Sequence, residues 1–384
     1  MNLNISNNSN LNSPNTSYSK EQDPCDQSFG QFKDNNSQIE DYKTFLASPI
    51  TIKGRKVKNR LFLAPMAGLG HAAFRELVAE FGGFGLLFTG MCSAKAVPQE
   101  NREISQVFRW RDEELPYLVC QIFGSDPDGM ALAAKRIERE GFFGVDINFG
   151  CCAAAICKKG SGAALLKEPE LAKKIVETVR QAVSIPVFVK FRSGWAENSL
   201  DGAIHAAKMA AMFQAAGADA IVFHPRSAPD RRLRPPKWEH IRLIKDAVSI
   251  PVFGNGNIFE PSDCKKMLKL SSCDGISIGR MAVARPWIFS AVSNGFLPHA
   301  NIYKHTASRM ITLLLKHYDE RTAVKMFKKF VPYFAAGFKF GHSISKQLLK
   351  PDNSDEILTV INSIFSEHAQ PLETIDRPNL HLFL

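Results

Sequence analysis

The chain has 384 residues, 45% of them apolar, and a net charge of +10. That length suits one large domain or two moderate ones, with a sizeable core. No apolar run reaches bilayer length, so no transmembrane helix is expected; the N-terminus has no apolar h-region, so no secretory signal is expected; and none of the eight cysteines has zinc-finger spacing, in a chain too large for a disulfide scaffold. Reduced thiols in a cytoplasmic, metal-free protein are the expectation.

Residues 1–42 are rich in Asn and Ser without periodicity, and are expected to be disordered. The next 250 or so residues repeat one theme, a short apolar run, a Gly-rich or polar loop and a helical pattern. Eight such runs occur: RLFLAP (60–65), GLLFTG (85–90), YLVCQIFG (117–124), GVDINFG (144–150), IPVFVKFR (185–192), DAIVFHPR (219–226), IPVFGNG (250–256) and DGISIGR (274–280). Between them lie helical stretches such as AAFRELVAEF, GMALAAKRIERE, PELAKKIVETVRQAV and AIHAAKMAAMFQAA. Eight strand–helix units with fully apolar strands predict a (β/α)8 TIM barrel over residues 43–298. A doubly wound sheet is the alternative, but no Gly-x-Gly-x-x-Gly follows the first strand. After about residue 298 only helical spacing remains, in TASRMITLLLKHY, AVKMFKKFVPYFAAGF and DEILTVINSIF. A small helical domain over 299–384 is predicted. Residues 301–350 hold ten Lys or Arg against Asp319 and Glu320, whereas 351–384 hold six acids against Arg377. Such concentrated positive charge suits a polyanionic partner, against the plainer reading of a solvated helix face.

In a barrel, function sits at the C-terminal ends of the strands. Those ends carry Pro65 and Met66, Gly90, Gln121, Asn148 and Cys151, Lys190 and Arg192, His224 and Arg226, Gly254-Asn255-Gly256, and Gly279-Arg280. Small residues after strands seven and eight, with an arginine, suit a phosphate group. Lys190 interrupts an apolar strand, where a lysine either snorkels to the rim or meets an anion. His224 alone reads as a packed core histidine; with Arg226 two residues on, it shares one strand face. Gln121 suits either a polar ring edge or the backbone.

The motifs LAPMAGLGHAAFR, VCQIFGSDP, VDINFGC, GSGAALLKEPEL, VFVKFRSGW, FHPRS, PVFGNGNI and ISIGRMAVARPWIF resemble, in order, those of the tRNA-dihydrouridine synthases. FKKFVPYFAAGF is most similar to the bacterial B-type branch. The resemblance implies an FMN enzyme that uses NADPH to reduce the C5–C6 bond of uridine in tRNA. It implies that Pro65, Met66, Gln121, Lys190 and His224 line the flavin ring, and that Gly254, Asn255, Gly256, Gly279 and Arg280 hold its phosphate. Asn148 would position the uracil and Cys151 would protonate C5. A thiol has a reference pKa of about 8.5, so it is mostly protonated at neutral pH and can donate. Arg226, Lys325, Lys328 and Lys329 would meet the substrate, with Arg231, Arg232 and Arg234 as interchangeable further candidates. A monomer is expected.

Several positions depart from the family pattern. Cys152 stands where proline is usual, which frees an N–H and φ and adds a second thiol; Cys157 reads as a small packed hydrophobe. Gly90 replaces an acidic residue, HPR replaces His-Gly-Arg, and NGN ends in Asn where Asp is usual. Two alternatives stay open: a flavin barrel acting on a free pyrimidine, and a flavin-bound RNA-binding protein that has lost catalysis.

Overall fold

The computed structural model describes residues 41–195, 199–230, 234–299 and 301–367. The Asn-rich extension up to residue 40, and Arg231 and Arg232, lie outside these. The chain enters through helix α1 (Tyr42–Ala47) and a hairpin of β1 (Ile50–Ile52) and β2 (Arg55–Val57), too short to be read from sequence. The eight apolar runs then become parallel strands. They are β3 (Leu61–Leu63), β4 (Leu87–Phe88), β6 (Leu118–Phe123), β7 (Gly144–Phe149), β8 (Val187–Arg192), β9 (Ala220–His224), β10 (Val252–Asn255) and β11 (Gly275–Ile278). Their order is β3–β11–β10–β9–β8–β7–β6–β4, and a parallel bridge between Phe62 and Leu86 closes the ring. A short β5 (Cys92–Ser93) pairs with the far end of β6.

Helices α2 (Ala72–Phe81), α3 (Pro127–Arg139), α4 (Ala154–Cys157), α5 (Pro169–Ala182), α6 (Leu200–Ala215), α7 (His240–Ala247) and α8 (Pro261–Ser271) fill the connections. Pro127 at the first helical position and an Asp126 carboxylate accepting from Gly129 N show why α3 starts where it does. At α2 the cap is His71, whose Nδ1 accepts from Phe74 N; burial pushes its pKa down to about 3, so this nitrogen stays an acceptor. The second unit departs from the predicted strand–helix alternation. Between β4 and β6 the described residues form no α-helix, only the short β5 and two 3₁₀ turns, Val97–Gln99 and Asp112–Tyr117. This link is pinned by a fully buried ion pair, Arg75 Nη2 to Glu114 Oε1 at 2.6 Å, while Arg75 also donates to the carbonyls of Gly70 and Arg109.

Side-chain parity sets the inside of the barrel. At its N-terminal end the inward residues are Phe62, Phe88, Val119, Phe188, Val222 and Phe253, a closed apolar plug. One layer further on, the inward positions hold Gln121, Asp146, Asn148, Lys190, Arg192, His224, Asn255 and Ser277. The outward residues pack under the helices. Apolar floor and polar mouth follow from one alternation along each strand.

After β11 come α9 (Arg280–Ala284) and α10 (Ile288–Ser293), then α11 (Ile302–His317), α12 (Glu320–Ala335), α13 (Gly341–Leu348) and α14 (Ser354–Glu367). Polar contacts dock α11 on α2: Arg309 pairs with Glu80 at 2.7 Å, Lys316 pairs with Glu76 at 2.6 Å, and His317 Nε2 lies 2.6 Å from the other Glu76 oxygen. Helix α12 packs on α9 and so reaches the C-terminal face of the barrel. Among the described residues no helix is long and apolar enough to cross a membrane.

Removing Glu114 leaves the fully buried Arg75 guanidinium without its carboxylate, a loss of about 3–5 kcal/mol, whereas Glu114 without Arg75 still keeps Arg111 at 3.3 Å. Glu114→Leu is therefore expected to lower the urea midpoint sharply, and Glu114→Leu with Arg75→Leu to lower it less.

Candidate functional site at the barrel mouth

The C-terminal strand ends surround a cavity of about 710 Å³, within the ordinary range for a cofactor or substrate cleft. Of the residues singled out by sequence, Pro65, Met66, Cys151, Lys190, His224, Asn255, Gly256, Gly279 and Arg280 line it. So do Arg192, Asn257, Ser277 and, from α12, Tyr333. Ser277 was hidden in an apolar-looking strand, and Tyr333 lies too far along the chain for any local signal to tie it to the mouth.

Four selected side chains sit behind the lining or face away from it. Gln121 and Asn148 stand one step back; the Gln121 amide is engaged at both ends, by Asp146 and by Asn148. Gly254 points outward: a Cβ there would meet Met267 Sδ at 2.5 Å, so its smallness serves strand–helix packing. Arg226 is 2% exposed; it donates to Arg234 O and to Asn257 Oδ1 and lies 3.4 Å from His224 Nε2. Asn257, at φ +53°, also accepts from Arg280 Nη2, so one amide oxygen joins the two arginines. Gly256 is tied to its place by φ +120° and by His224, whose ring would stand 2.9 Å from an added Cβ. Arg234 is exposed, 3.6 Å from Asp230.

The cysteine loop is folded back on itself. Asn148 Oδ1 accepts from Gly150 N and Cys151 N at 3.0 and 2.9 Å. The Cys151 carbonyl accepts from Ala163 N and from the Cys157 thiol. Gly162 makes this closure possible, with φ +64° and room for no Cβ within 2.7 Å of that carbonyl. Arg192 Nε donates to Gly150 O, tying the loop to β8. Cys152 lines the main cavity and also a shallow outer pocket shared with Cys157 and Trp195. Burial pushes the Cys157 thiol up, helped by its two neighbouring cysteines. Gly90 lies outside the lining, and a Cβ there would stand 3.3 Å from Met66 O; the residue after Thr89 packs behind the Met66 turn.

Electrostatically the cavity is one-sided. Lys190, Arg192 and Arg280 line it, Arg226 backs it, and Asp146 is the buried acid beside them. Burial pulls Lys190 down to about 8, with Arg192 adding repulsion and Asp146 opposing. Burial and then the cations Arg192, Lys190, Arg226 and Arg280 hold His224 far below its usual range, hence neutral. Burial also lifts Asp146 to about 7, against Gln121 and Lys190. Desolvation therefore outweighs pairing for both members of the Asp146–Lys190 pair. The hydroxyl of Ser277 is buried without a hydrogen-bond partner among the described residues. A polar, anionic ligand answers both the unpartnered hydroxyl and the surplus of cations. Among the described residues no group of three or more His, Cys, Asp or Glu side chains is arranged to hold a metal ion.

The basic tail is less uniform than its sequence. Lys328 pairs with Asp352 at 2.9 Å. Lys325 and Lys328 line a shallow pocket with Glu320, Arg321 and Asp352. Lys329 leaves that group: its Nζ stands 3.3 Å from where a Cβ of Gly68 would be, on the loop after β3. Lys329 and Tyr333, four residues apart on α12, thus share the face turned to the mouth.

A closed parallel barrel with a polar mouth, a thiol on one rim loop and a cation-rich recess defines a (β/α)8-barrel enzyme. The sequence pattern of the dihydrouridine synthase (Dus) family matches residues 62–354. The tRNA-dihydrouridine synthase B of Pseudomonas putida is 32% identical over 336 residues, covering 86% of this chain and 98% of that protein. The tRNA-dihydrouridine synthase B of Pseudomonas aeruginosa is 32% identical over 327 residues, covering 83% and 97%. Among solved structures, histamine dehydrogenase from Rhizobium sp. 4-9 superposes with a TM-score of 0.51 at 15% identity, over 71% of this chain. This chain spans about half of that one (51%), and the likeness is one of fold. The chain belongs to the dihydrouridine synthase family.

The Asp146 carboxyl gives a pH signature. Its folded pKa lies above its unfolded value, so the native state holds a proton that the unfolded chain releases between pH 3.8 and about 7. Stability from this group is present below that window and lost as pH rises through it. Lys190 works oppositely, its contribution returning between about 8 and 10.5. Urea unfolding of the ligand-free protein at pH 5 and pH 7 should show the loss across the first window, and Asp146→Asn should flatten it.

Proposed function

We propose that this enzyme reduces the C5–C6 double bond of specific uridines in tRNA to dihydrouridine, using FMN and NADPH, with Cys151 as the general acid. The observation that carries the reading is the Cys151 loop. It is clamped at N–H by Asn148 and at C=O by Ala163, and it lines the same cavity as Lys190, His224 and Arg280.

The residues fit FMN. Its ring would rest among Pro65, Met66, Lys190 and His224, and the buried Ser277 hydroxyl would gain a partner. Its phosphate would meet Asn255, Gly256, Gly279 and Arg280. When bound, FMN reduced by NADPH would supply a hydride to C6 of the uracil. The Cys151 thiol donates the proton that C5 requires, so the base gains two hydrogens in all. Lys190 stabilises negative charge on the ring at a site where burial makes an unpaired lysine costly. Asn148, one step behind the lining, holds the loop with its oxygen and gives an amide hydrogen to Gln121, so that it would place Cys151 towards the uracil. The uridine must leave its stack to reach a barrel mouth; Tyr333 offers an aromatic face there and Lys329 a cation for the adjoining phosphate. The free-pyrimidine alternative leaves this α12 face without a use.

Purified protein, NADPH and tRNA lacking dihydrouridine should yield a uridine heavier by two hydrogens in nucleoside mass spectrometry. Cys151→Ala is expected to lower the rate by about 10²–10⁴-fold, and Cys152→Ala to keep it. No product from a flavin-loaded, tRNA-binding wild type would instead support an RNA-binding protein that has lost catalysis.

Charge on α12 gives a second check. Lys329→Ala and Lys325→Ala should weaken tRNA binding and each lower the slope of log affinity against log salt by about one. Lys328→Ala should change it less, because Asp352 already neutralises Lys328.

A further inference from the structure

We propose that Asp146 is a positioning residue: it sets the direction of a buried hydrogen-bond chain that runs through Gln121 and Asn148 and fixes the backbone of Cys151. Asp146 and Asn148 point inward from β7, and Gln121 on β6 is the register partner of Asp146. Gln121 Nε2 donates to Asp146 Oδ2 at 2.6 Å. Asn148 Nδ2 donates to Gln121 Oε1 at 2.8 Å. Asn148 Oδ1 accepts from both Gly150 N and Cys151 N.

The two ends of this chain differ in kind. A carboxylate only accepts and a backbone N–H only donates. Two amides strung between them have one arrangement that leaves no oxygen facing oxygen and no N–H facing N–H. Any other arrangement places unsatisfied groups where water does not reach, since Gln121, Asp146 and Asn148 are 1%, 0% and 7% exposed. Asp146 Oδ1 has no hydrogen-bond partner among the described residues, so a proton taken up there leaves Oδ2 an acceptor and the direction intact. The carboxylate lies at one end of the chain and the thiol-bearing residue at the other. The catalytic meaning of this device rests on reading Cys151 as the proton donor; the chain itself does not.

The test moves the carboxylate. Asn148→Asp turns the donor facing Gln121 into an acceptor, so with both carboxyls ionised a buried acceptor–acceptor contact arises wherever Gln121 turns. Adding Asp146→Asn supplies a donor at the inner end, and the chain closes in reverse. Gln121→Glu, alone and with Asp146→Asn, is an independent pair on the same logic. The full-length variants would be compared at pH 8 by residue-resolved amide hydrogen exchange at Gly150 and Cys151, with β8 amides as the reference for global opening, and by thermal melting. Each single change is expected to raise exchange at Gly150 and Cys151 about tenfold or more over the β8 reference, the effect of one ordinary net hydrogen bond. Each double is expected to return to within about threefold of wild type. Where a single variant fails to fold, recovery of a folded double counts as the same rescue. If neither double improves on its single, or the singles match wild type, the proposal is wrong. Neither readout needs turnover, so rescue in a wild type that makes no dihydrouridine would overturn the functional reading and leave this one standing.

Discussion

Closure of a parallel barrel is the constraint on which the rest of this molecule depends. Once β3 meets the segment before β4, each of the eight barrel strands has a neighbour on either side and a fixed inner face. Side chains two residues apart along a strand then become floor and mouth of one space. Phe188 seals the barrel where Lys190 and Arg192 open it, and Val222 stands beneath His224 in the same way. The chemistry at the mouth is inseparable from the packing below it, because both lie on one alternation.

That alternation also explains what sequence could and could not reveal. The eight strands were legible because both faces are covered, leaving short, nearly unbroken apolar runs bounded by Gly and Pro. The hairpin of β1 and β2 was not, since three-residue strands carry no period. The strand ends pointed to Cys151, Lys190, His224 and Arg280, whose residue types stand out among apolar neighbours, and the structure gathers these four at one cavity. Asp146 was passed over as one acid inside GVDINFG, although it shares parity with Asn148. Parity also separates Gly254 from Asn255, which leave the strand on opposite faces. Tyr333 carried no signal because its relation to the mouth is set by how α12 crosses α9.

Charge shows a similar division between count and place. The helical tail is strongly basic as a string, yet Arg309, Lys316 and Lys328 each hold a carboxylate. Two of these pairs fasten α11 to α2 and so belong to assembly. What remains for a polyanion is a smaller set, of which Lys329 leans toward the mouth. Inside the cavity the imbalance has the opposite meaning. Buried cations facing few acids store an electrostatic cost that an anionic ligand relieves.

The docking of α11 has a consequence for scale. Helix α2 leaves the same strand, β3, whose C-terminal loop carries Pro65, Met66 and Gly68. By gripping α2 through Glu76 and Glu80, α11 ties α12 to the part of the chain that forms one wall of the cavity. Helix and wall therefore behave as one rigid gauge. On the function proposed above, a tRNA seated on α12 would meet the cavity at the offset this docking sets.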